Sequence, residues 1–191
     1  MPFRYHRFFF SSGFSVVPPL ASKYQPSSGT QMLEHNFSFS PVAQVGVGQL
    51  RGNPCFRFNF QGISLGCDST DAPCIFDIVA LRWNGNKEVV HGRERLEVAA
   101  CADSFICNLS HQTINAAVAA SFSNLTAVNI TLVTTGNTQT WWADDLQIAW
   151  TDNDCTVAEC RSKIPNKIMA SHSPKAPVGR AKRESRWAVR G

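Results

Sequence analysis

Two adjacent aspartates, Asp144 and Asp145, stand in the middle of the apolar stretch TWWADDLQIAW. Paired carboxylates serve glycoside hydrolysis, hard-cation binding and charge pairing, and burying one without a partner costs several kcal/mol. In strand alternation Trp142, Asp144, Leu146, Ile148 and Trp150 share one face, and Trp141, Ala143, Asp145 and Gln147 the other. Asp144 therefore points with the core residues and needs a partner. A structural calcium ion completed by backbone carbonyls and Glu34 would satisfy it, as would backbone N–H groups of a neighbouring loop or an arginine such as Arg57. Because adjacent strand residues face opposite ways, the two carboxylates are not expected to flank one glycosidic bond as acid and base.

The remaining chemistry-bearing residues form no catalytic set. His91 and His111 lie in polar surroundings, GxSxG is absent, and the glycines of GVG at 46–48 lack the strand-to-helix setting of a phosphate loop. No catalytic residue is expected, and no cofactor is required apart from the calcium considered for Asp144. A shallow sugar site needs exposed flat rings instead. Trp141, off the core face in this alternation, is the first candidate for ligand binding, and Trp83, beside the turn NGN, the second.

Seven cysteines occur without a Cys-x-x-Cys, and no histidine lies three to five residues from another, which disfavours thiolate zinc. CDSTDAPC, CADSFIC and CTVAEC instead read as short disulfide loops, Cys67 to Cys74, Cys101 to Cys107 and Cys155 to Cys160, leaving Cys55 over. A Cys55 to Cys155 link with Cys160 spare is the alternative. Four sequons, at Asn36, Asn108, Asn124 and Asn129, add to the expectation of an extracellular or cell-wall protein. Asn129 alternates with Val128 and Ile130 and should face solvent.

These residues must be positioned by a single domain of ordinary composition: of 191 residues 43% are hydrophobic and 17% charged. Up to residue 160 nine Lys/Arg meet thirteen Asp/Glu, whereas residues 161–191 hold nine Lys/Arg and only Glu184. That basic, Pro-containing stretch reads as a disordered tail, able to bind nucleic acid only weakly and non-specifically. The opening MPFRYHRFFFSSGFSVVPPL has no apolar run of signal-peptide length, so the natural N-terminus is expected to be missing, and nothing approaches the roughly twenty apolar residues of a membrane helix. The division expected is an extended aromatic and Pro-containing segment at 1–30, a sandwich at 31–160 and the tail at 161–191.

The sandwich itself is written in short alternating runs. CFRFNFQGISLGC places Phe56, Phe58 and Phe60 inward before breaking at Gly62 and Gly66, and NGN at 84–86 joins two strands as a tight hairpin. RLEVAAC, ICNLSHQTI and LTAVNITLVTT continue the series, with a short helix as the other reading of INAAVAASFSNLT. Six to nine antiparallel strands without alternating helices predict an all-β, antiparallel sandwich of jelly-roll type.

FRFNFQGISLGCDSTDAPCIFDIVALRW, CADSFIC and TWWADDLQIAWTDNDC together resemble a fungal extracellular domain family of unknown function, across residues 2–160. The chain departs from that pattern at Cys55, Cys160 and the basic tail. The closing Asp-Asp strand is also similar to the last strand of galactose-binding-like jelly rolls and carbohydrate-binding modules, where an aspartate of the pair commonly helps to hold calcium. The resemblance implies an extracellular location and the sandwich fold but no activity. The function expected is a secreted, non-catalytic binding or cell-surface module, with extracellular or cell-wall polysaccharide as the candidate ligand; a hydrolase or lyase on the same architecture and a purely structural wall or adhesion domain are the rivals.

Overall fold

The structure is a computed structural model that describes residues 2–18, 23–102, 106–133 and 140–164. Two antiparallel sheets form a sandwich, as the alternating runs predict. Its elements are β1 (Phe3–Tyr5), β2 (Phe8–Phe10), β3 (Phe14–Val17), β4 (Tyr24–Gln25), β5 (Met32–Asn36), β6 (Ala43–Gly46), β7 (Phe58–Cys67), β8 (Cys74–Trp83), β9 (Glu88–Val98), β10 (Cys107–Asn108), β11 (Ser110–Thr113), β12 (Ala127–Leu132), β13 (Thr140–Trp150) and the helix α1 (Cys155–Lys163). One sheet has the order β1-β2-β6-β12-β8-β9 and the other β11-β7-β13-β5-β3, with β4 and β10 pairing in parallel outside them. The core between the sheets holds the inward residues of both, among them Phe56, Phe58, Phe60, Ile63, Leu65, Phe76, Ile78, Ile130 and Trp141. INAAVAASFSNLT contributes only a 3₁₀ turn at Ala119–Phe122.

The aromatic start belongs to the sandwich and is not a separate segment. β1 and β2 edge one sheet, β3 edges the other, and Phe10 and Phe14 are core residues. Antiparallel pairing sets Phe3 opposite Phe10 and Tyr5 opposite Phe8, so the four rings share one face of the hairpin. At the other end the boundary drawn at 160 cuts through α1. Arg161, the first residue assigned to the tail, is buried; its guanidinium donates to the carbonyls of Cys55 and Asp152 and to Asn153 Oδ1, and lies 5.1 Å from the Trp150 ring. The rest of the tail, from residue 165, lies outside the described residues.

Two pairings, Cys67–Cys74 and Cys101–Cys107, join the cysteines as the loop spacing predicts. The third corrects both readings of the last cysteines: Cys160 is bonded to Cys55, and Cys155 is free and exposed. CTVAEC is the start of a helix, and five helical residues turn the chain by about 140°, which sends Cys155 and Cys160 in different directions. Gly62 and Gly66 do not break β7 either. Gly66 is needed because the Tyr24 ring rests on it: a Cβ there would lie 2.5 Å from Tyr24 Cε1.

Among the described residues His35 is the one histidine enclosed by the sandwich, 1% exposed, with its ring 5.1 Å from that of Trp141 and edge-on to Phe14. Neither ring nitrogen finds a hydrogen-bond partner of good geometry, and Gly13, at φ +99°, closes over Nε2 so tightly that a Cβ would come within 2.6 Å. Burial pushes the imidazole pKa from 6.5 down to about 4, with the Ser12 backbone acting in the opposite direction.

Two outcomes are expected of these buried groups. The Cys55–Cys160 bond spans 105 residues, so replacing both by serine should lower the unfolding free energy by about 5 kcal/mol in the chain-entropy description, while Cys155→Ser leaves it unchanged, as urea unfolding will report. As pH falls from 6.5 to 4, the unfolded chain takes up a proton at His35 that the folded chain refuses. The stability this histidine contributes is therefore complete above pH 6.5 and is lost toward pH 4, by up to roughly 3 kcal/mol. His35→Leu should flatten the stability curve in that window; an unchanged slope would mean that the folded chain takes up this proton over the same pH range as the unfolded chain.

Candidate functional site

The two aspartates do not obey simple alternation. β13 pairs with β7 from Trp141 opposite Cys67 to Asp144 opposite Ser64, then shifts so that Gln147 faces Gly62, and shifts again so that Ile148 faces Phe60. β13 thus carries one extra residue at the aspartates, and β7 carries one at Gln61. Asp145 takes φ +47°, in the left-handed region that non-glycine residues rarely occupy. Each bulge reverses which side of its strand faces the core, and because they occur side by side both strands reverse together. Before the switch Trp141 and Ala143 point into the core with Leu65 and Cys67; after it Leu146, Ile148 and Trp150 do, with Phe58 and Phe60.

This corrects the assignment of faces. Trp141 is 1% exposed and no surface ring for a ligand. Trp142 is on the outer side instead, packed with Tyr24, Met32, Cys101 and Leu109 in a second cluster, and its indole N–H donates to Glu34 Oε2. Trp83 is half-buried with the Arg51 guanidinium 4.7 Å from its ring, so a cation already covers that face. Asp144 does not point into the core. Its Oδ2 accepts the backbone N–H of Ser28 at 2.9 Å and its Oδ1 that of Asp145 at 2.8 Å, the loop-donor alternative considered for it. Arg57 donates elsewhere, to the Asn53 and Phe56 carbonyls. Among the described residues no group of three or more His, Cys, Asp or Glu side chains comes together to hold a metal.

Nor do the two carboxylates face opposite ways. Ser28 Oγ donates to Asp145 Oδ1 at 2.6 Å while its N–H holds Asp144, so one residue ties both acids together. Both line a groove of about 530 Å³. It opens because pairing between β13 and β5 ends at Ala143 opposite Leu33, and the N-terminal hairpin lies across the gap. The hairpin wall consists of Phe3, Tyr5, Phe8 and Phe10, with His6 from the turn; the floor and far wall are Met32, Leu33, Leu146 and Ile148 beside the acids.

Most of the rings are anchored. Phe3 stacks on Phe10 at 4.8 Å, and Phe8 stacks on Trp150 at 5.1 Å and meets Phe58 edge-on. Tyr5, at 64% exposure, stands at the mouth with its ring edge-on to that of His6 at 4.2 Å. The turn beside it is strained, with His6 at φ 46° and Arg7 at φ 73°, where glycine or asparagine is the ordinary choice. Arg7 Nη1 fastens the turn to the Ile164 carbonyl at 2.8 Å, just beyond α1. Among the described residues, three of the four non-glycine residues at positive φ, His6, Arg7 and Asp145, therefore lie in or beside the groove.

His111 also falls near the acids by topology. Pairing aligns Asp144, Ser64 and His111 across three strands, with His111 Nδ1 3.2 Å from Ser64 Oγ. The serine stands in the middle and is 1% exposed, whereas nucleophilic catalysis needs the imidazole between serine and carboxylate. Of the sequon asparagines, Asn108 and Asn124 are exposed, while Asn36 and Asn129 are half-buried, with Oδ1 accepting from the Ser38 N–H and from Gln44 Nε2 respectively.

Alternation alone could not reveal the groove, since the bulges that form it are set by pairing between distant strands. The one local signal is that Phe3, Tyr5, Phe8 and Phe10 alternate around a two-residue turn, which marks a hairpin but not what it packs against. A family model described as Domain of unknown function (DUF7371) matches residues 1–161. No curated protein matches the chain.

Asp144→Ala should destabilise the protein by about 1–3 kcal/mol, since the Ser28 and Asp145 N–H groups lose their acceptor. Asp145→Gly should cost far less, because glycine relieves the positive φ. Thermal unfolding of the two variants compares them directly; a larger loss in Asp145→Gly would show that the Asp145 side chain, more than the backbone bonds of Asp144, holds the bulge.

Proposed function

This chain belongs to the DUF7371 family, whose function is unknown, and we propose that it is an extracellular, non-catalytic carbohydrate-binding module whose site is the groove between the N-terminal hairpin and β13. The observation that carries this reading is the groove's composition: an exposed Tyr5 ring at the mouth, more aromatic faces along one wall, and two carboxylates opposite them. Pyranose rings stack on such faces through their C–H groups, and carboxylate oxygens accept their hydroxyls. No cofactor is needed for binding of this kind.

The placement of the acids favours binding over hydrolysis. Asp144 and Asp145 are tied to one serine on the same wall, whereas hydrolysis needs carboxyl groups on either side of the scissile bond. The three disulfides are suited to an oxidising compartment, and the exposed Asn108 and Asn124 are the sequons best placed for glycans. A cell-wall or secreted polysaccharide is the partner this location supplies. No helix among the described residues is long and apolar enough to cross a membrane. The closing motif's resemblance to galactose-binding-like jelly rolls is consistent with the same role.

Retention of the full chain on a panel of insoluble polysaccharides, with chromatography of the supernatant for released sugar, tests the proposal. At least one polysaccharide should retain the protein without product, and Tyr5→Ala should weaken that retention about tenfold while leaving the melting temperature unchanged, the residue being 64% exposed. Released oligosaccharide would establish an enzyme instead, and absence of retention throughout the panel would remove carbohydrate as the ligand.

A further inference from the structure

Resting on the groove as the binding site, its charge specifies which saccharide it holds. Among the described residues two carboxylates line it, His6 is the one basic side chain there, and no lysine or arginine does. Among the described residues neither Asp144 nor Asp145 has a cationic side chain within ion-pair distance, although Arg95 with Asp77 and Lys163 with Glu159 pair elsewhere on the surface. The donors that hold the acids are the backbone N–H groups of Ser28 and Asp145 and the Ser28 hydroxyl; they orient the carboxylates without neutralising them. Asp145 Oδ2 accepts no hydrogen bond from the described residues. Across the groove stand the rings of the hairpin, whose π faces carry negative potential.

Uncompensated carboxylates opposite aromatic faces, with apolar Leu146 and Ile148 between, are the environment in which an ammonium group gains from both sides at once. A polyanionic saccharide would meet repulsion here, and a neutral one would leave the acids with hydroxyl donors only. We propose that the groove selects amine-bearing saccharides, with a protonated amino group of the sugar seated against Asp145 and Asp144 and an adjacent ring stacked on Tyr5. The strained geometry agrees with a ligand role for Asp145: φ +47° turns its carboxylate to the same side as that of Asp144, where simple alternation would have turned it away.

The experiment is calorimetric titration of the full chain with three oligosaccharides of equal length and linkage, one carrying free amines, one its N-acetylated form and one with hydroxyls in their place. The free-amine form should bind about tenfold tighter than either of the others, the difference expected for a charge-assisted hydrogen bond, and should lose that advantage on raising pH through the sugar's amine pKa or on adding salt. Asp145→Asn keeps the shape, an acceptor for Ser28 and tolerance of positive φ, so it should fold with the wild-type melting temperature and bring the free-amine form to the same affinity as the other two. Tyr5→Ala should weaken all three alike. Equal affinities for the three forms, unchanged in Asp145→Asn, would overturn the amine selectivity and leave carbohydrate binding intact. Binding of none would overturn both, and tighter binding of the N-acetylated form would replace the ammonium with the acetamide as the group recognised.

Discussion

Everything distinctive about this sandwich follows from the coupled bulges in β7 and β13. A bulge in one central strand would turn half of its apolar side chains toward solvent, a cost of several buried side chains at about 1.5–3 kcal/mol each. Here Gln61 and the Asp144–Asp145 pair supply an extra residue to each strand at adjacent positions, so both sets of inward residues remain inward. The kink ends the pairing with β5 and leaves an opening at the sheet edge. The acids can occupy a central strand because the bulge lifts them out of the alternation and gives Asp144 two backbone donors.

The opening is covered by the N-terminal hairpin, whose turn is fixed by long-range contacts. Arg7 bonds the backbone just past α1, Phe8 stacks on Trp150, and Arg161 reaches from α1 over the same indole to the Cys55 carbonyl. Cys55–Cys160 fastens that helix to the start of β7. The first residues of the chain and the last described ones thus meet around Trp150. Positive φ angles at His6 and Arg7, each costing of order 1–2 kcal/mol, are maintained by this network.

The opposite side of the same sheet is closed differently. Tyr24 lies on Gly66 and against Trp142, its hydroxyl bonded to both the N–H and the carbonyl of Cys67, and the bonded pair Cys101–Cys107 packs into the same cluster. The sheet is therefore apolar on both faces along part of β13, which is why Trp141 and Trp142, adjacent in sequence, are both buried.

The alternating Phe, Val and Ile runs, the turn residues of NGN and the short Cys67 and Cys101 loops determined by themselves that the chain forms antiparallel strands, where several of them turn, and which local cysteines meet, because all of these act over a few residues. The helix at Cys155 was concealed by its cysteine spacing, and the core role of Arg161 by the basic residues that follow it. Trp141 was assigned to the surface for a single reason: alternation counted backward from Trp150 misses one added residue, and one residue inverts every face beyond it. Only tertiary structure decided that Asp144 and Asp145 look the same way, that Cys55 finds Cys160, and that the N-terminal rings form the wall of a groove. Each depends on pairing between strands far apart in the chain, where the gain from burying both sheets' apolar faces outweighs local preference.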